Sequence, residues 1–585
     1  MSRSVRTTWT FFTEDAQGRV LVFGALVTLA LGLSLRDFYS YQFGFQPDAL
    51  DYWLLAHGLI NGPAFGLNFD PFAPVPTHYP FGFPMLLIPF VLAAPTDFAL
   101  PQWLSLAATV TSAGILYWGW RSLVPMYGNG WRIAVTAMFL LAPTTISHTR
   151  VVLSEPVFTT MVLLALWFAV RLARSPRSLR LWFGLAVACF FMVFVRSIGW
   201  VFFASILLYL GYSLRRQLAR GILVLVTTFA VLMAPVLVLT PVHIENLIPT
   251  QYVEWLIEYG PINPFRVRAR NRAQTAAVLS QPTPTSGSPS PTPSPQAPPT
   301  PSVNIVLDVQ FIVKHIQEDL RRLLLLSGGG ELEQRIVTRL DLPGLLILPG
   351  AAALLLVLWG NVIWARDTRR VEKIPLSLFQ FSTFAYLGIA LVWRGGGERL
   401  FYPVQPQLYL AMFLGIGALV GVLLRALARL RVVSLETLAV RAQQLVALIV
   451  VAWLVLAVYR DLTLRTSYQA WGDLRERTDW IASNIPADAV LLSDWASLDY
   501  MMAGRRAVEF PQTAEQIVET TNRLEQNQIN YVIAGTDETL SVRGISTHWW
   551  RVQAFVPNLN KLRRAGKLVH IYSSPFPFQV FQVVP

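Results

Sequence analysis

Long apolar runs recur along the chain, and most polar residues fall between them. A helix needs roughly 20 apolar residues to cross a bilayer, and about 17 suffice with good anchors. That measure predicts about eleven spans, near residues 19–36, 99–120, 131–147, 154–172, 180–196, 198–214, 220–240, 344–364, 376–393, 402–424 and 443–459. The run from Phe83 to Ala94 is too short to cross and holds Pro84 and Pro89, which reads as an interfacial or re-entrant helix. The run from Val20 to Leu35 lacks a small-residue cleavage site and reads as a signal anchor.

The pattern changes in two places. Residues 241–342 form a long loop containing QPTPTSGSPSPTPSPQAPPTP (281–301), an extended, solvated tract with no means of packing a core. Behind it, Val309, Ile312, Ile316, Leu320 and Leu323 recur at helical spacing, predicting an amphipathic surface helix over 305–326. Residues 460–585 carry frequent charges and short apolar runs (AVLLSD, NYVIAG, KLVHIYSS, FQVFQVV), with helix-like stretches at Ser497–Ala503 and Thr513–Glu525. This tail predicts a small soluble α/β domain. The chain therefore divides into a first transmembrane module (1–240) with an outer loop at 37–82, the long loop (241–342), further transmembrane helices (343–459) and the tail (460–585).

Composition agrees with a lipid environment: 54% of the 585 residues are hydrophobic and 14% are charged, against roughly 25% charged in soluble domains. The net charge of +13 raises the question of nucleic acid. The cations do not form an aromatic-interleaved stripe, however; most sit in short loops, which excludes that class. With a cytoplasmic N-terminus, about 20 Lys and Arg fall in inner loops against about five in short outer ones, so the first loop, the long loop and the tail all lie outside a plasma membrane. The lone Cys189 excludes an intrachain disulfide and a cysteine metal cluster.

The candidate chemistry gathers on the outer side, where ionisable groups near lipid mark function. In PDALDYWLLAHGLING, Asp48 and Asp51 share a helix face near Tyr52. Asp48 follows Pro47 and suits either an N-cap or a catalytic carboxylate, roles that are compatible at a helix start. In THYPFGFP, two prolines and a glycine bend the chain around an aromatic pair that also suits the membrane interface, and His78 is either solvated or a ligand. RVVLSEPVF opens the fourth span with Arg150 and Glu155, an ion pair or cap on one reading and a headgroup contact on the other. Arg196, Arg394 and Arg399 stand at span ends, where arginines either snorkel or bind phosphate bidentately. No Walker loop, H-E-x-x-H, G-x-S-x-G or dinucleotide fingerprint is present, so a donor would come from the membrane.

Taken in order, PDALDYWLLAHGLING, YPFGFP, RVVLSEPVF and ERLFYPVQPQLYL resemble integral-membrane glycosyltransferases of the GT-C fold. The resemblance is to the bacterial branch related to protein O-mannosyltransferases, aminoarabinose lipid A transferases and rhizobial lipopolysaccharide transferases, and it covers Val20 to Leu424. It implies a polytopic α-helical protein that moves a sugar, with inversion, from a polyprenyl-phosphate carrier to a glycan, lipid or protein acceptor on the outer face. By position it makes Asp48 the catalytic base, Glu155 the S-E-P residue, and Arg399 with Tyr402 the late phosphate-side element; the outer set itself adds Asp51 and His78, which with Glu155 would support the acceptor or a metal. Arg150, Arg196, Arg394, Arg399 and Tyr402 lie on the carrier-phosphate side. No cofactor is required by these residues, and a divalent cation is compatible with them. Phe81 replaces the second proline of the family's Y-P-P-G, and Phe401 interrupts the late motif as R-L-F-Y-P. The competing classes are a flippase or transporter of lipid-linked sugars, disfavoured by the scarcity of mid-span charges, and a scaffold displaying the tail.

Overall fold

The computed structural model describes residues 16–36, 48–61, 67, 69–72, 79–95, 97, 99–214, 218–239, 347–372, 376–390, 397–429, five positions between 451 and 459, 468–511, 514–535, 549–573 and 578–584. The proline-rich tract, the amphipathic helix expected at 305–326 and most of the span expected at 443–459 lie outside the described residues.

The bundle is built from α1 (Ala16–Leu35), α2 (Asp48–Asn61), α3 (Gly82–Ala93), α4 (Ala99–Leu123), α5 (Asn129–Leu141), α6 (Pro143–Thr149), α7 (Ser154–Arg174), α8 (Leu179–Val195), α9 (Gly199–Leu214), α10 (Leu218–Leu239), α11 (Ile347–Glu372), α12 (Leu378–Ala390), a 3₁₀ helix (Gly397–Val404) and α13 (Gln405–Arg429). Among the described residues, Ala16–Leu35, Ala99–Leu123, Ser154–Arg174 and Phe401–Leu423 are long and apolar enough to cross a membrane. Large apolar side chains such as Leu92, Trp118, Phe183, Leu223, Val238 and Trp359 stand exposed on the flanks. That surface is suited to lipid and would be unstable in water. The protein is a multi-pass membrane protein.

One expected span is divided, and another, matched by Phe401–Leu423, opens with a different kind of turn. The run at 131–147 becomes α5 and α6, because Pro143 offers no N–H to continue the first helix and is well suited to open the second. The expected span at 402–424 begins instead with the tight 3₁₀ turn around Pro403, so that α13 starts at Gln405.

At the centre stands α7, packed on α4, α8, α9 and the 3₁₀ helix. Its hydroxyls stitch it to α4: Thr160 donates to the Ala108 carbonyl at 2.7 Å and lies 2.8 Å from the Ser112 hydroxyl. Packing between helices in lipid relies on such small and hydroxylated residues, since burial from lipid gains little by itself.

The tail contains α14 (Tyr468–Asn484), β1 (Val490–Ser493), α15 (Ala496–Ala503), β2 (Arg506–Glu509), α16 (Ala514–Glu525), β3 (Tyr531–Gly535), α17 (Trp549–Arg564), β4 (Leu568–Ser573) and β5 (Phe578–Val583). Its sheet order is β2-β1-β3-β5-β4, with β1 parallel to β2 and β3 and the β3–β5 and β5–β4 pairs antiparallel. The apolar runs at AVLLSD, NYVIAG, KLVHIYSS and FQVFQVV become β1, β3, β4 and β5. Gly504, at φ +67°, ends α15 in the left-handed conformation that favours glycine.

Candidate active site

The first-loop helix α2 opens with Asp48 and Asp51, both half-buried, in its first turn. Anionic groups are stabilised there by the unsatisfied N–H groups of the helix start. One turn on from Asp48, on the same helix face, Tyr52 is buried and its hydroxyl lies 3.0 Å from the Ser154 hydroxyl at the start of α7. Ser154 also accepts a hydrogen bond from Arg196 Nη1 at 3.2 Å, and the same Nη1 stands 2.5 Å from Glu155 Oε1. Arg196 is the residue following α8, in the short turn to α9. Three separate stretches of sequence thus meet at Ser154.

Charge ties Asp48 to this group. Burial raises the Tyr52 hydroxyl above the ordinary tyrosine range; Arg196 pulls it down, while Asp48 and Glu155 push it up. The two carboxylates and the guanidinium are therefore all within electrostatic reach of one hydroxyl.

Tyr402, in the 3₁₀ helix, brings in the late motif. Its hydroxyl lies 3.0 Å from Thr109 of α4, and its ring stacks on His148 of α6 with centroids 4.7 Å apart. Ser105, one turn before Thr109, donates to the Val151 carbonyl at 2.9 Å. Gln405 bonds to Thr144 and Thr145 at 2.5 and 3.2 Å, joining the start of α13 to α6. A polar seam therefore runs from α2 through the start of α7 to the 3₁₀ helix.

The aromatic motif has its own reason for the glycine. A Cβ on Gly82 would stand 2.4 Å from the Phe194 carbonyl oxygen, so only glycine lets α3 approach the last turn of α8 that closely. This contact sets YPFGFP beside the residues that lead into Arg196. Tyr79 then packs on Tyr52 with ring centroids 4.8 Å apart.

Of the residues expected from sequence, the structure brings Glu155 and Arg196 to the Tyr52–Ser154 pair, with Asp48 one helical turn before Tyr52, and sets Tyr402 against Thr109 and His148. Asp51 shares the first turn of α2 with Asp48. Arg150 is buried and donates to the Leu33 carbonyl at 2.6 Å, which ties it to the end of α1. Arg399 lies within the 3₁₀ helix, and His78 and Arg394 are outside the described residues. Sequence reasoning missed Ser154 as the meeting point and Thr109 as the partner of Tyr402. The second carried a signal, because Gln102, Ser105, Thr109 and Ser112 recur every three or four residues along an otherwise apolar helix. Among the described residues no three His, Cys, Asp or Glu side chains converge, and Glu155 is paired with Arg196.

No family model matches the chain, and no curated protein sequence matches it significantly. Solved structures do match. The fold resembles apo ArnT from Cupriavidus metallidurans (12% identity, TM-score 0.51, covering 98% of this chain and 99% of that one). It also resembles the Archaeoglobus fulgidus oligosaccharyltransferase AglB in complex with an inhibitory peptide and a dolichol-phosphate (13% identity, TM-score 0.52, 96% and 73% covered). The same archaeal enzyme with Zn and sulfate gives a TM-score of 0.54 at 13% identity, again covering 96% and 73%. The shared architecture is that of the GT-C fold.

Proposed function

We propose that this protein is an inverting glycosyltransferase that moves a sugar from a polyprenyl-phosphate carrier to an acceptor hydroxyl or amine at the outer face of the membrane. The observation that carries this reading is the meeting of Tyr52, Ser154, Glu155 and Arg196, from three separated motifs, in one polar cluster a helical turn from Asp48. The fold shared with AglB, which binds a dolichol-phosphate, supports a lipid-phosphate donor.

In the proposed reaction the Asp48 carboxylate takes the acceptor proton as its oxygen or nitrogen attacks the anomeric carbon. The new bond forms on the face opposite the phosphate, and the carbon–oxygen bond to phosphate breaks with its electron pair staying on the leaving oxygen. Arg196, with Arg150 and Arg399, supplies fixed positive charge for that developing anion, and Arg394 and Tyr402 belong to the same side. Glu155 orients Arg196, and Asp51 and His78 support the acceptor. An Archaeoglobus fulgidus oligosaccharyltransferase of this fold in complex with Zn and sulfate supports a divalent cation as a companion of the site, although no step here is routed through one. The uneven distribution of Lys and Arg supports a cytoplasmic N-terminus, which places α2 and the tail outside.

The test is reconstitution with radiolabelled polyprenyl-phosphate sugar. Asp48→Asn is expected to lower transfer about 10²- to 10⁴-fold while expression and membrane insertion are unchanged. Full activity in that variant overturns the role of Asp48. Leaflet exchange of the donor without release of carrier phosphate by the wild-type protein would favour a flippase instead.

A further inference from the structure

The largest ionic cluster among the described residues of the tail has no part in the chemistry above. Arg477 projects from α14 and is 3% exposed, with Nη1 2.8 Å from Asp494 Oδ1. Its Nε and Nη2 form a fork on Asp499, at 3.2 and 2.8 Å. Nη2 also donates to the Ser493 hydroxyl at 2.9 Å; Ser493 in turn donates to Asp499 at 2.5 Å and accepts from the Trp495 backbone N–H at 2.9 Å. Burial opposes the charge on Arg477, yet the two carboxylates outweigh it and push its pKa up. One guanidinium therefore fixes the end of β1, the turn that follows and the middle of α15.

The helix held by Arg477 also rests on the helix that carries Asp48. α15 packs against α2. Trp495 and Leu498 are buried in the same core as Ala49, Leu50 and Trp53 of α2. Ala496 and Ala503 belong to a second buried cluster with Leu54, Leu55 and Leu59, and with Leu67 and Phe69 beyond the helix. The tail grips that following segment as well: the Ala507 N–H of β2 donates to the Phe69 carbonyl at 3.1 Å, and the Arg523 guanidinium stands 4.0 Å from the centre of the Phe72 ring. The tail thus holds both α2 and the segment leaving it.

We propose that Arg477 is a positioning residue for the reaction centre, holding α15 in the pose that sets α2 and its Asp48 carboxylate against Ser154 and Arg196. The tail is then a wall of the site and not a pendant module. The reasoning is geometric: a helix is stiff, so a shift in its support moves both ends, and a displacement near 1 Å can cost about 100-fold in rate. The effect on rate rests on the transfer reading above, whereas the mechanical coupling does not.

The test uses the full-length protein in proteoliposomes with two variants. Arg477→Lys keeps the charge but loses the fork; Leu498→Ala leaves the cluster whole and trims the contact with the bundle core. Both are expected to speed amide hydrogen exchange across residues 48–61 by about tenfold or more, with residues 154–174 unchanged. Both are also expected to lower kcat about 10- to 100-fold with the KM for the lipid-linked donor unchanged. Unaltered protection of 48–61 in both variants overturns the proposal, as does a raised KM with kcat intact, which would make the tail a substrate-binding module. If the wild-type chain transfers no sugar, the activity reading falls and the exchange data alone decide the coupling.

Discussion

Two arginines organise this molecule, one buried and one half-buried, and they are bound differently. Arg477 is sealed between two carboxylates, with side-chain exposures of 3%, 2% and 0% for Arg477, Asp494 and Asp499. Arg196 has Glu155 beside it at 1% exposure but is itself 13% exposed, and it sits in a turn between helices where it also donates to the Ser154 hydroxyl. A sealed, doubly paired guanidinium has no open edge on which a new anion could land. A pair open at one edge leaves room for competition, which a site that must hold and then release a phosphate requires. The comparison separates a charge that maintains shape from one that can take part in chemistry.

That distinction fails if the two arginines respond alike to removal. Arg477→Met leaves two carboxylates buried without their cation and is expected to destabilise the tail by about 3–5 kcal/mol, measured by denaturant unfolding of detergent-solubilised protein. Arg196→Ala leaves one buried carboxylate unpaired instead of two and is expected to shift that midpoint less, while transfer drops about 10- to 100-fold, the loss of one charge-assisted bond worth roughly 1.5–3 kcal/mol. A midpoint shift in Arg196→Ala as large as that of Arg477→Met would make Arg196 architectural too. Tyr52→Phe removes only the hydroxyl that meets Ser154, so the expected change is smaller, about fivefold in kcat for a bond worth ~1 kcal/mol. Deleting 281–301 is expected to alter neither stability nor transfer, since a polyproline-like spacer contributes no core; loss of transfer in that deletion would mean the tract belongs to the site.

Much of the architecture was legible because lipid imposes a simple rule on composition. Long apolar runs and the placement of arginines pointed to a bundle with polar chemistry at one end, and the ordered motifs pointed to the GT-C fold. Division of the run at 131–147 was harder to see, since its apolar content is continuous and only Pro143 marks the break. In the tail, four strands followed from apolar runs, but β2 (Arg506–Glu509) is a four-residue edge strand beginning with an arginine and too short to show alternation. At the site, Asp48, Glu155, Arg196 and Tyr402 were visible as residues of unusual type near span ends. The meeting of Glu155 and Arg196 at Ser154 was not, because serine beside a glutamate and a proline reads equally well as a helix start. Arg477 was invisible as a structural centre, for a charged residue in a charge-rich segment looks like an ordinary surface residue until its partners are folded around it.

The hydrogen bond between Ala507 and Phe69 also bears on how the protein is made. Its acceptor is synthesised about 440 residues before its donor. At roughly 5–20 residues per second, the first loop waits from about 20 s to well over a minute for the strand that covers it. During that interval Leu54, Leu55, Leu59 and Phe69 lack half of their final neighbours, and the proposed base stands on a helix still without its outer support. Newly inserted protein would therefore be inert until its last segment has folded back over its first, which places the onset of activity at the end of biogenesis and makes that delay the period when the loop most needs protection from aggregation.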